Sequence, residues 1–318
     1  MSEPQSPDFG QQDLKVCAVV VAHNPGNDLN DRLVAIRRQV DRILVVDNGS
    51  NPESQAVLER IARIQFIDLI RNPTNEGVAT ALNQGIRHAR EEGFSWVLTL
   101  DQDSEPSPKM IHEQLDVYFA QMEPDRVAIV APQVIDADIG RRAPFLRRGF
   151  GPFYRRDRCD NSTLRDVTTV ITSGALVRLS VIEAIGGFRE DFFIDYVDTE
   201  FCLRALRSGY RIVVACRAEL YHRLGDRRKT KIGPFSLYPT FHSPERWYSI
   251  SRNRIPMLRM YAFRFPHWLT YELVAALFTI FRMLLAEDQR AAKVRAIVQG
   301  TVDGIRGRMG KPPTAQIL

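Results

Sequence analysis

Two carboxylates, Asp101 and Asp103, stand one residue apart directly after a short apolar segment. The apolar residues 97–100 predict a buried strand, and Pro106 and Pro108 break the chain soon after the acids. In open α/β sheets, ligands bind at the carboxyl ends of the strands. Two such close carboxylates repel each other unless a positive group lies between them, and Mg²⁺ or Mn²⁺ accepts oxygen ligands of this kind. The pair predicts a divalent-cation site, although a solvated turn is the simpler explanation for an isolated Asp-x-Asp.

A second acidic cluster spans residues 188–200, where five acids are interleaved with four aromatic residues. Asp198 and Glu200 fall at the start of a predicted helix, where the helix dipole favours carboxylates. N-capping would account for Asp198, but it leaves Asp195 and Glu200 unexplained. A carboxylate held on a rigid helix start, with aromatic surfaces the size of a sugar beside it, suits a general base.

Two more predicted strands are followed by side chains that suit a phosphorylated ligand. Asp47 ends the strand at 43–46, where a carboxylate can accept from ribose hydroxyls or a base N–H; an ordinary turn is the alternative. His222 follows a strand at 210–215 and precedes the basic run 225–231. A neutral imidazole can ligate a metal there, and the cations of the run can hold phosphates, whereas a lone histidine is more often structural.

The elements that would position these side chains alternate along the first part of the chain. Strands are predicted at 16–22, 43–46, 64–69, 97–100 and 127–130, and helices at 29–40, 53–62, 78–89 and 108–121. This alternation predicts an α/β fold with a doubly wound parallel sheet. Neither Gly-x-Gly-x-x-Gly nor a Gly-Lys-Ser/Thr loop follows the first strand, which argues against dinucleotide binding and against a P-loop ATPase.

Composition and charge narrow the class of partner. The 318 residues are 44% hydrophobic and 25% charged, which is ordinary for a globular protein with a sizeable core. The net charge of +5 is concentrated in basic clusters at 141–158 and 221–264, so we expect an anionic partner. No nucleic-acid-binding module is recognisable, which leaves a phosphorylated small molecule or a lipid surface. Residues 136–165 are expected to form a surface excursion whose arginines are solvated or contact phosphate.

The cysteines and the N-terminus suggest a compartment. The four cysteines show no Cys-x-x-Cys spacing, and Cys17, Cys202 and Cys216 lie in apolar or periodic segments. They predict small buried side chains in a reducing compartment. No signal peptide is apparent, so we expect a cytoplasmic protein.

Three parts of the chain are expected: a disordered tail (1–13), an α/β domain (14–242) and a helical extension (243–318). In the extension, residues 268–286 are apolar except for Glu272 and Arg282, and two charges argue against a spanning helix. Such a helix either packs on the α/β domain or lies on the inner face of a membrane. A closing helix is predicted near 287–306.

Five segments together resemble a known family: residues 20–25, 46–48, 75–79, 100–104 and 193–200. In this order, each at a strand end or helix start, they are similar to the inverting sugar-nucleotide glycosyltransferases of family 2. That family has the GT-A fold, and within it the chain looks most like bacterial rhamnosyltransferases. The resemblance covers roughly residues 15–225.

The resemblance implies a role for each matching residue. The implied nucleotide-binding residues are His23, Asn24, Asp47, Asn75, Gly77, Asp101 and Arg228. The implied ligands of Mg²⁺ or Mn²⁺ are Asp101, Asp103 and His222. Asp198 corresponds to the family's catalytic base, but Val197 stands where some relatives have an acid, so Asp195 is a rival for that role.

We therefore predict an inverting, metal-dependent transfer of L-rhamnose from dTDP-L-rhamnose to a saccharide or lipid-linked acceptor, in cell-surface polysaccharide or glycolipid biosynthesis. A UDP-hexose or UDP-galactofuranose donor on the same fold is the alternative. Two further classes are a sugar nucleotidyltransferase, which usually needs a glycine-rich basic loop where His23–Gly26 stands, and a non-catalytic sugar-nucleotide-binding protein. Peripheral contact with the inner membrane and homo-oligomerisation are left open.

Overall fold

The computed structural model of the chain describes residues 14–160, 162–223, 230–232, 235–237 and 241–313. The predicted disordered tail, 1–13, lies outside these residues. The first part of the fold contains β1 (Val16–Ala22), α1 (Leu29–Arg37), β2 (Arg42–Asn48), α2 (Pro52–Ala62), β3 (Ile67–Asn72), α3 (Val78–Glu91), β4 (Trp96–Asp101), β5 (Glu105–Pro106), α4 (Met110–Phe119) and β6 (Val127–Asp136).

The later part begins with short strands and ends in long helices. Its elements are β7 (Phe145–Arg148), β8 (Tyr154–Asp157), β9 (Thr163–Leu164), β10 (Val167–Thr169), β11 (Ala175–Arg178), α5 (Leu179–Ile185), α6 (Val197–Arg207), β12 (Arg211–His222), β13 (Thr230–Ile232), β14 (Phe235–Leu237), α7 (Pro244–Tyr261), α8 (Pro266–Ala286) and α9 (Arg290–Arg306).

The main sheet has the strand order β3-β2-β1-β4-β11-β6-β12-β5, with β9 paired to β12. Strands β1 to β4 pair in parallel, as the sequence predicts, and β6 pairs in parallel with β12. The sheet is nevertheless mixed, because β11 lies antiparallel between β4 and β6. The α/β class is confirmed, and the expectation of an all-parallel sheet is corrected.

Burial on both faces explains why the central strands are almost wholly apolar. In β1 every residue except Val21 is buried, and helices cover the sheet on each side. One core layer contains Leu82 and Ile86 of α3, and the other contains Leu33 and Ile36 of α1. The periodic apolar positions of these helices are therefore the positions that face the sheet.

Several predicted element boundaries are wrong, and the strand predicted at 127–130, for example, continues to Asp136. The third strand begins at Ile67 rather than at residue 64, and the strand predicted at 210–215 continues to His222. His222 is therefore the last residue of a strand that pairs in parallel with β6, where Val134 and Ile135 lie opposite Leu220 and Tyr221.

The arginine-rich excursion is ordered, which a sequence without clear periodicity does not predict. β7 pairs with β8 and β10 in a three-stranded sheet. Phe145 and Leu146 are buried beneath it, and the Arg147 guanidinium lies 2.7 Å from the Asp157 carboxylate across the hairpin. A charge pair across the strands and a small apolar face hold the hairpin together.

The cysteine prediction is correct for two of the three positions. Cys17 and Cys202 are buried free thiols. Cys216 is buried but forms a disulfide with Cys159, which ties the excursion to β12. The reduced state expected for Cys216 is thus corrected.

The last three helices form a layer around buried polar contacts. α7 packs along α9, and Gly300 permits this, since a Cβ there would lie 2.3 Å from the carbonyl oxygen of Tyr248. The buried Lys293 ammonium lies 2.8 Å from the Glu287 carboxylate. The division into domains at residue 243 stays a prediction.

The Cys159–Cys216 disulfide predicts a redox-dependent stability. Reduction should lower the free energy of unfolding by about 2–4 kcal/mol, because the bond closes a long loop in the unfolded chain. Thermal unfolding with and without dithiothreitol measures the effect. The variant Cys159→Ser should show the lower stability in both conditions, and a dithiothreitol effect that persists in this variant would contradict the assignment.

Candidate active site

Three potential metal ligands meet where β4 and β12 end. Nδ1 of His222 lies 3.1 Å from Oδ1 of Asp103, and its Nε2 lies 3.6 Å from Oδ2 of Asp101. The pairing of β5 with β12 brings them together, since Glu105 lies opposite Tyr221. The turn before β5 is held by Ser173, whose hydroxyl contacts that of Ser104 and accepts from the backbone N–H of Asp101 at 3.4 Å.

The charges of this cluster are coupled. Burial raises the pKa of Asp101, and the neighbouring Asp103 acts in the same direction. Burial also opposes ionisation of Asp103, but the close His222 ring and Arg32 outweigh it, so the pKa of Asp103 is lowered. Burial opposes protonation of His222, yet the two carboxylates outweigh it and raise its pKa. The cluster is thus a negative site in which a cation is favoured.

The donor set fits a divalent cation. Two carboxylates and one imidazole offer ligand atoms that all lie within 4.8 Å of one another. Nδ1 of His222 is buried, and its 3.1 Å contact with Asp103 is not aligned as a hydrogen bond, so among the described residues this nitrogen has no hydrogen-bond partner of good geometry. Three protein ligands leave coordination positions open for a phosphorylated ligand.

Asn48, at the end of β2, organises the side chains predicted to bind the nucleotide. Its carbonyl oxygen lies 3.0 Å from Nδ1 of His23, and its side-chain amide donates to Oδ1 of Asn75 and to the carbonyl of Gly77, both at 3.2 Å. Gln102 links this group to the acidic pair, because its Oε1 accepts from the backbone N–H of His23 at 2.8 Å. The side chains predicted to bind the nucleotide and the acidic pair are therefore joined by hydrogen bonds.

Other predicted nucleotide-binding residues are placed less directly. Asn24 is exposed, and its Oδ1 accepts from the N–H of Asn51 at 2.8 Å. Asp47 is fully buried, with one oxygen accepting from the N–H of Ser50 and the other from Gln55, both at 3.0 Å. This is the role of a turn residue, so contact between Asp47 and a nucleoside stays a prediction, and Arg228 lies outside the described residues.

Gly77 has a steric role in joining the site to the second acidic cluster. Its φ of 89° and its surroundings exclude a side chain, since a Cβ would lie 2.6 Å from the carbonyl oxygen of Phe193. That oxygen accepts from the N–H of Val78 at 2.8 Å and so caps α3. The first N–H of α3 is therefore bound by the protein's own Phe193 carbonyl.

A strained loop presents the second acidic cluster. Phe193, Asp195 and Tyr196 all have positive φ, a conformation that costs non-glycine residues energy. Asn253 of α7 holds the loop. Its fully buried side-chain amide donates to three backbone carbonyls of the loop, those of Phe192, Ile194 and Asp195, at 2.8–3.1 Å. α7 therefore determines where Asp195 and the first turn of α6 lie.

Asp198, in that first turn, lines a cavity of about 240 Å³. Burial raises its pKa to about 6, with backbone N–H donation from Thr199 acting against the shift and Asp195 and Asp101 adding to it. Tyr271 of α8 and Arg156 of the excursion lie on other walls of the same cavity. A carboxylate with a pKa near neutrality, facing a cavity, can accept a proton from a bound hydroxyl.

Asp195, the rival for this role, is engaged elsewhere. Its Oδ1 lies 3.2 Å from both Nε and Nη2 of Arg246, and its Oδ2 is buried without a hydrogen-bond partner among the described residues. The charge of Arg246 also acts against the rise in the pKa of Asp101, although burial of Asp101 outweighs it. Glu200, the other acid of the cluster, is structural: it pairs with Arg204 at 2.8 Å and accepts from Tyr261 at 2.7 Å.

Sequence reasoning did not single out Arg246, Arg156 and Tyr271 as site residues. They come from the extension and from the excursion, far along the chain from the acidic motifs. The basic clusters around Arg156 and Arg246 were the signal that pointed toward two of them.

Comparison with known proteins gives a consistent group. The family described as "Glycosyl transferase family 2" matches residues 17–186. The dTDP-rhamnosyl transferase RfbF of Shigella flexneri is 30% identical over 298 residues, which cover 93% of this chain and 97% of the relative. The N-acetylglucosaminyl-diphospho-decaprenol L-rhamnosyltransferase of Mycobacterium tuberculosis (strain ATCC 25618 / H37Rv) is 28% identical and covers 64% of this chain and 74% of its own.

A solved structure shows a similar fold. The crystal structure of GalNAc-T7 with UDP, GalNAc and Mn²⁺ superposes with a TM-score of 0.60 at 14% identity, covering 81% of this chain and 50% of that chain. Identity this low concerns the fold alone.

The Asp101–Asp103–His222 cluster predicts a measurable cation affinity. We expect Mn²⁺ to bind the purified protein, and Asp103→Asn or His222→Ala to weaken binding by about tenfold or more, because each removes one of three ligands. Titration followed by electron paramagnetic resonance measures free Mn²⁺. Glu105→Gln, which removes an exposed carboxylate outside the cluster, is the control, and equal binding by all variants would refute the site.

Proposed function

The chain belongs to glycosyl transferase family 2, and from that premise we propose that it moves L-rhamnose from dTDP-L-rhamnose to an acceptor hydroxyl, with inversion at the anomeric carbon. The donor is suggested by the relative from Shigella flexneri, which matches almost the whole chain and is named for that donor. The chain is a glycosyltransferase; the donor, the stereochemistry and the residue roles are the proposal.

One observation supports the proposal above others: the cavity that Asp198 lines lies beside the acidic cluster. Ser173 lines the same cavity as Asp198, and its hydroxyl accepts from the backbone N–H of Asp101 at 3.4 Å, so the cavity adjoins the cluster. A donor whose diphosphate is held at the cluster would place its sugar toward Asp198. A base and a leaving group on opposite sides of one carbon are what a single inverting displacement requires.

The residues of the chain perform the proton and charge steps. Asp198 takes the proton from the acceptor hydroxyl as its oxygen forms a bond to C1 of the sugar. The bond from C1 to the diphosphate oxygen breaks, and the electron pair leaves with the nucleoside diphosphate. Arg246, which faces Asp195 and acts on Asp101, is placed to stabilise that negative charge.

Asp101, Asp103 and His222 would hold Mg²⁺ or Mn²⁺. When bound, such a cation supplies Lewis-acid stabilisation of the leaving diphosphate. The nucleoside would lie against the corner formed by His23, Asn24 and Asn75, which Gln102 joins to the cluster.

The acceptor would occupy the cavity beside Asp198. Tyr271 offers an aromatic wall for a sugar ring, and Arg156 offers a charge for an anionic group next to that ring. We propose a saccharide or a lipid-linked saccharide, as in cell-surface polysaccharide or glycolipid biosynthesis. The relative from Mycobacterium tuberculosis is named for an acceptor on a diphospho-decaprenol carrier.

A panel of nucleotide sugars tests the donor. We expect release of dTDP from dTDP-L-rhamnose, abolished by EDTA and restored by added Mg²⁺ or Mn²⁺, because the leaving diphosphate needs a counter-charge. Chromatographic detection of the nucleoside diphosphate measures release. Turnover only with UDP-sugars would contradict the donor, and turnover unaffected by EDTA would contradict the cation.

The variant Asp198→Asn tests the base. Transfer should fall by about 10²–10⁴-fold while donor affinity stays near that of the parent, because the amide cannot take a proton. In the parent protein, kcat/KM should fall as the pH drops through about 6, since the protonated carboxyl of Asp198 is inactive and its pKa is about 6.

The matched variant is Asp195→Asn, which keeps the shape of a second acid in the same loop. It should retain the acidic limb of the pH profile, even if the loss of the Arg246 contact lowers activity. If Asp195→Asn removes the acidic limb and Asp198→Asn does not, the two roles are exchanged.

A further inference from the structure

The outer face of α8 is an uncovered apolar surface. Leu273, Leu277, Phe278, Phe281 and Leu284 recur at helical spacing, and their side chains are between 43% and 71% exposed. We call these five residues the α8 face. A contiguous row of large apolar side chains on a helix marks a surface that meets an apolar partner.

The opposite side of α8 is fixed to the protein by polar contacts. Buried Glu272 accepts from the hydroxyl of Tyr196 and lies 2.8 Å from Nε of Arg254. Further along, Met283 packs with Trp247 and Ala296. By length and composition α8 is long and apolar enough to cross a membrane, but Glu272 and Met283 contact residues of α7, and α8 also contacts β7 and β8 of the excursion.

Cations border the α8 face at both ends and on its flank. Arg264 is exposed just before the helix, and Arg290 is exposed just after it, donating to the carbonyl of Leu285 at 3.3 Å. The guanidinium of Arg282 lies 4.7 Å from the centroid of the Phe278 ring. An arginine stacked on an exposed aromatic ring is typical of side chains at a polar–apolar boundary.

The neighbouring surface of α9 has the same character. Val294, Val298 and Ile305 are exposed at helical spacing, and the adjacent Arg295 and Arg306 are exposed as well. Within the described residues 262–313, Asp288 is the one exposed acid, because Glu272, Glu287 and Asp303 are buried and paired. The helical surface is therefore apolar and cationic with almost no negative charge.

We propose that the α8 face docks on an anionic lipid bilayer, with α8 lying in the plane of the interface. Apolar side chains flanked by arginines match acyl chains below acidic headgroups. A second copy of the chain is the poorer occupant, since a two-fold contact would bring arginines to arginines with few acids to pair them. The docking goes beyond the proposed function and does not depend on it.

Docking would also orient the cavity beside Asp198. Tyr271 lines that cavity from the inner side of α8, two residues before Leu273 of the docked face. A membrane-borne acceptor would then reach the cavity along the helix, and this one consequence rests on the proposed function.

Flotation of the full chain with vesicles tests the docking. We expect it to float with vesicles of phosphatidylcholine mixed with phosphatidylglycerol, and weakly with phosphatidylcholine alone. The triple variant Leu277→Ser/Phe278→Ser/Phe281→Ser should bind the anionic vesicles at least about tenfold more weakly than the parent, since it removes the largest apolar area. Arg264→Gln/Arg290→Gln should weaken binding to the anionic vesicles and reduce its salt dependence.

Matched variants separate docking from general surface effects. Val34→Ser/Met122→Ser removes exposed apolar side chains elsewhere, and Arg63→Gln/Arg90→Gln removes exposed cations elsewhere, so both should float like the parent. Release of nucleoside diphosphate without vesicles should be unchanged in the triple-serine variant, which keeps a failure of docking distinct from a failure of the proposed activity.

Three results would overturn the proposal. The first is flotation that the triple-serine variant leaves intact, and the second is no flotation of the parent with either vesicle. The third is a dimer in sedimentation velocity that becomes a monomer in the triple-serine variant, since the α8 face would then be covered by a second copy.

Discussion

The short pairing of β5 with β12 is the constraint on which the site depends. In the sheet, β11 and β6 lie between β4 and β12, so three strand spacings of about 4.8 Å would separate them in a flat sheet. Yet His222 lies 3.1 Å from Asp103, because the segment after β4 crosses to the far edge and pairs there. Ser107 strengthens the pairing of β5 with β12. Its N–H donates to the carbonyl of Glu219 at 2.9 Å, and its hydroxyl accepts from the N–H of Glu219 at 3.3 Å.

A second constraint comes from α7. Each residue of the loop at 193–196 that is held at positive φ costs about 1–3 kcal/mol, and a neutral hydrogen bond returns about 1 kcal/mol. Asn253 therefore offsets only part of the strain, and Arg252 adds a donor to the carbonyl of Phe192 at 3.1 Å. Burial of both side chains makes their polar groups costly to leave unpaired, so the loop and α7 form as one unit.

Much of this arrangement could be predicted from the sequence, because it depends on local patterns. The apolar strands end in polar residues, and the helix that follows Asp198 has its own periodicity. The antiparallel β11 could not be predicted, since a strand of four residues carries no sign of its direction. The hairpin of β7 and β8 depends on pairing between strands, which leaves little trace along the chain. Contact of Arg246 and Tyr271 with the site is tertiary. The hydrogen bonds of Asp47 to Ser50 and Gln55 are local, and nucleoside binding by Asp47 stays a prediction.

The position of β11 in the sheet also orders events during synthesis. Strands β1 to β4 can pair once residue 101 has emerged from the ribosome, but the second edge of β4 has no partner until residues 175–178 have emerged as well. For that interval the nascent chain exposes an open strand edge, the kind of surface that chaperones protect. His222 arrives later still, so a bound cation would stabilise only the finished fold and would give the partly made chain no support.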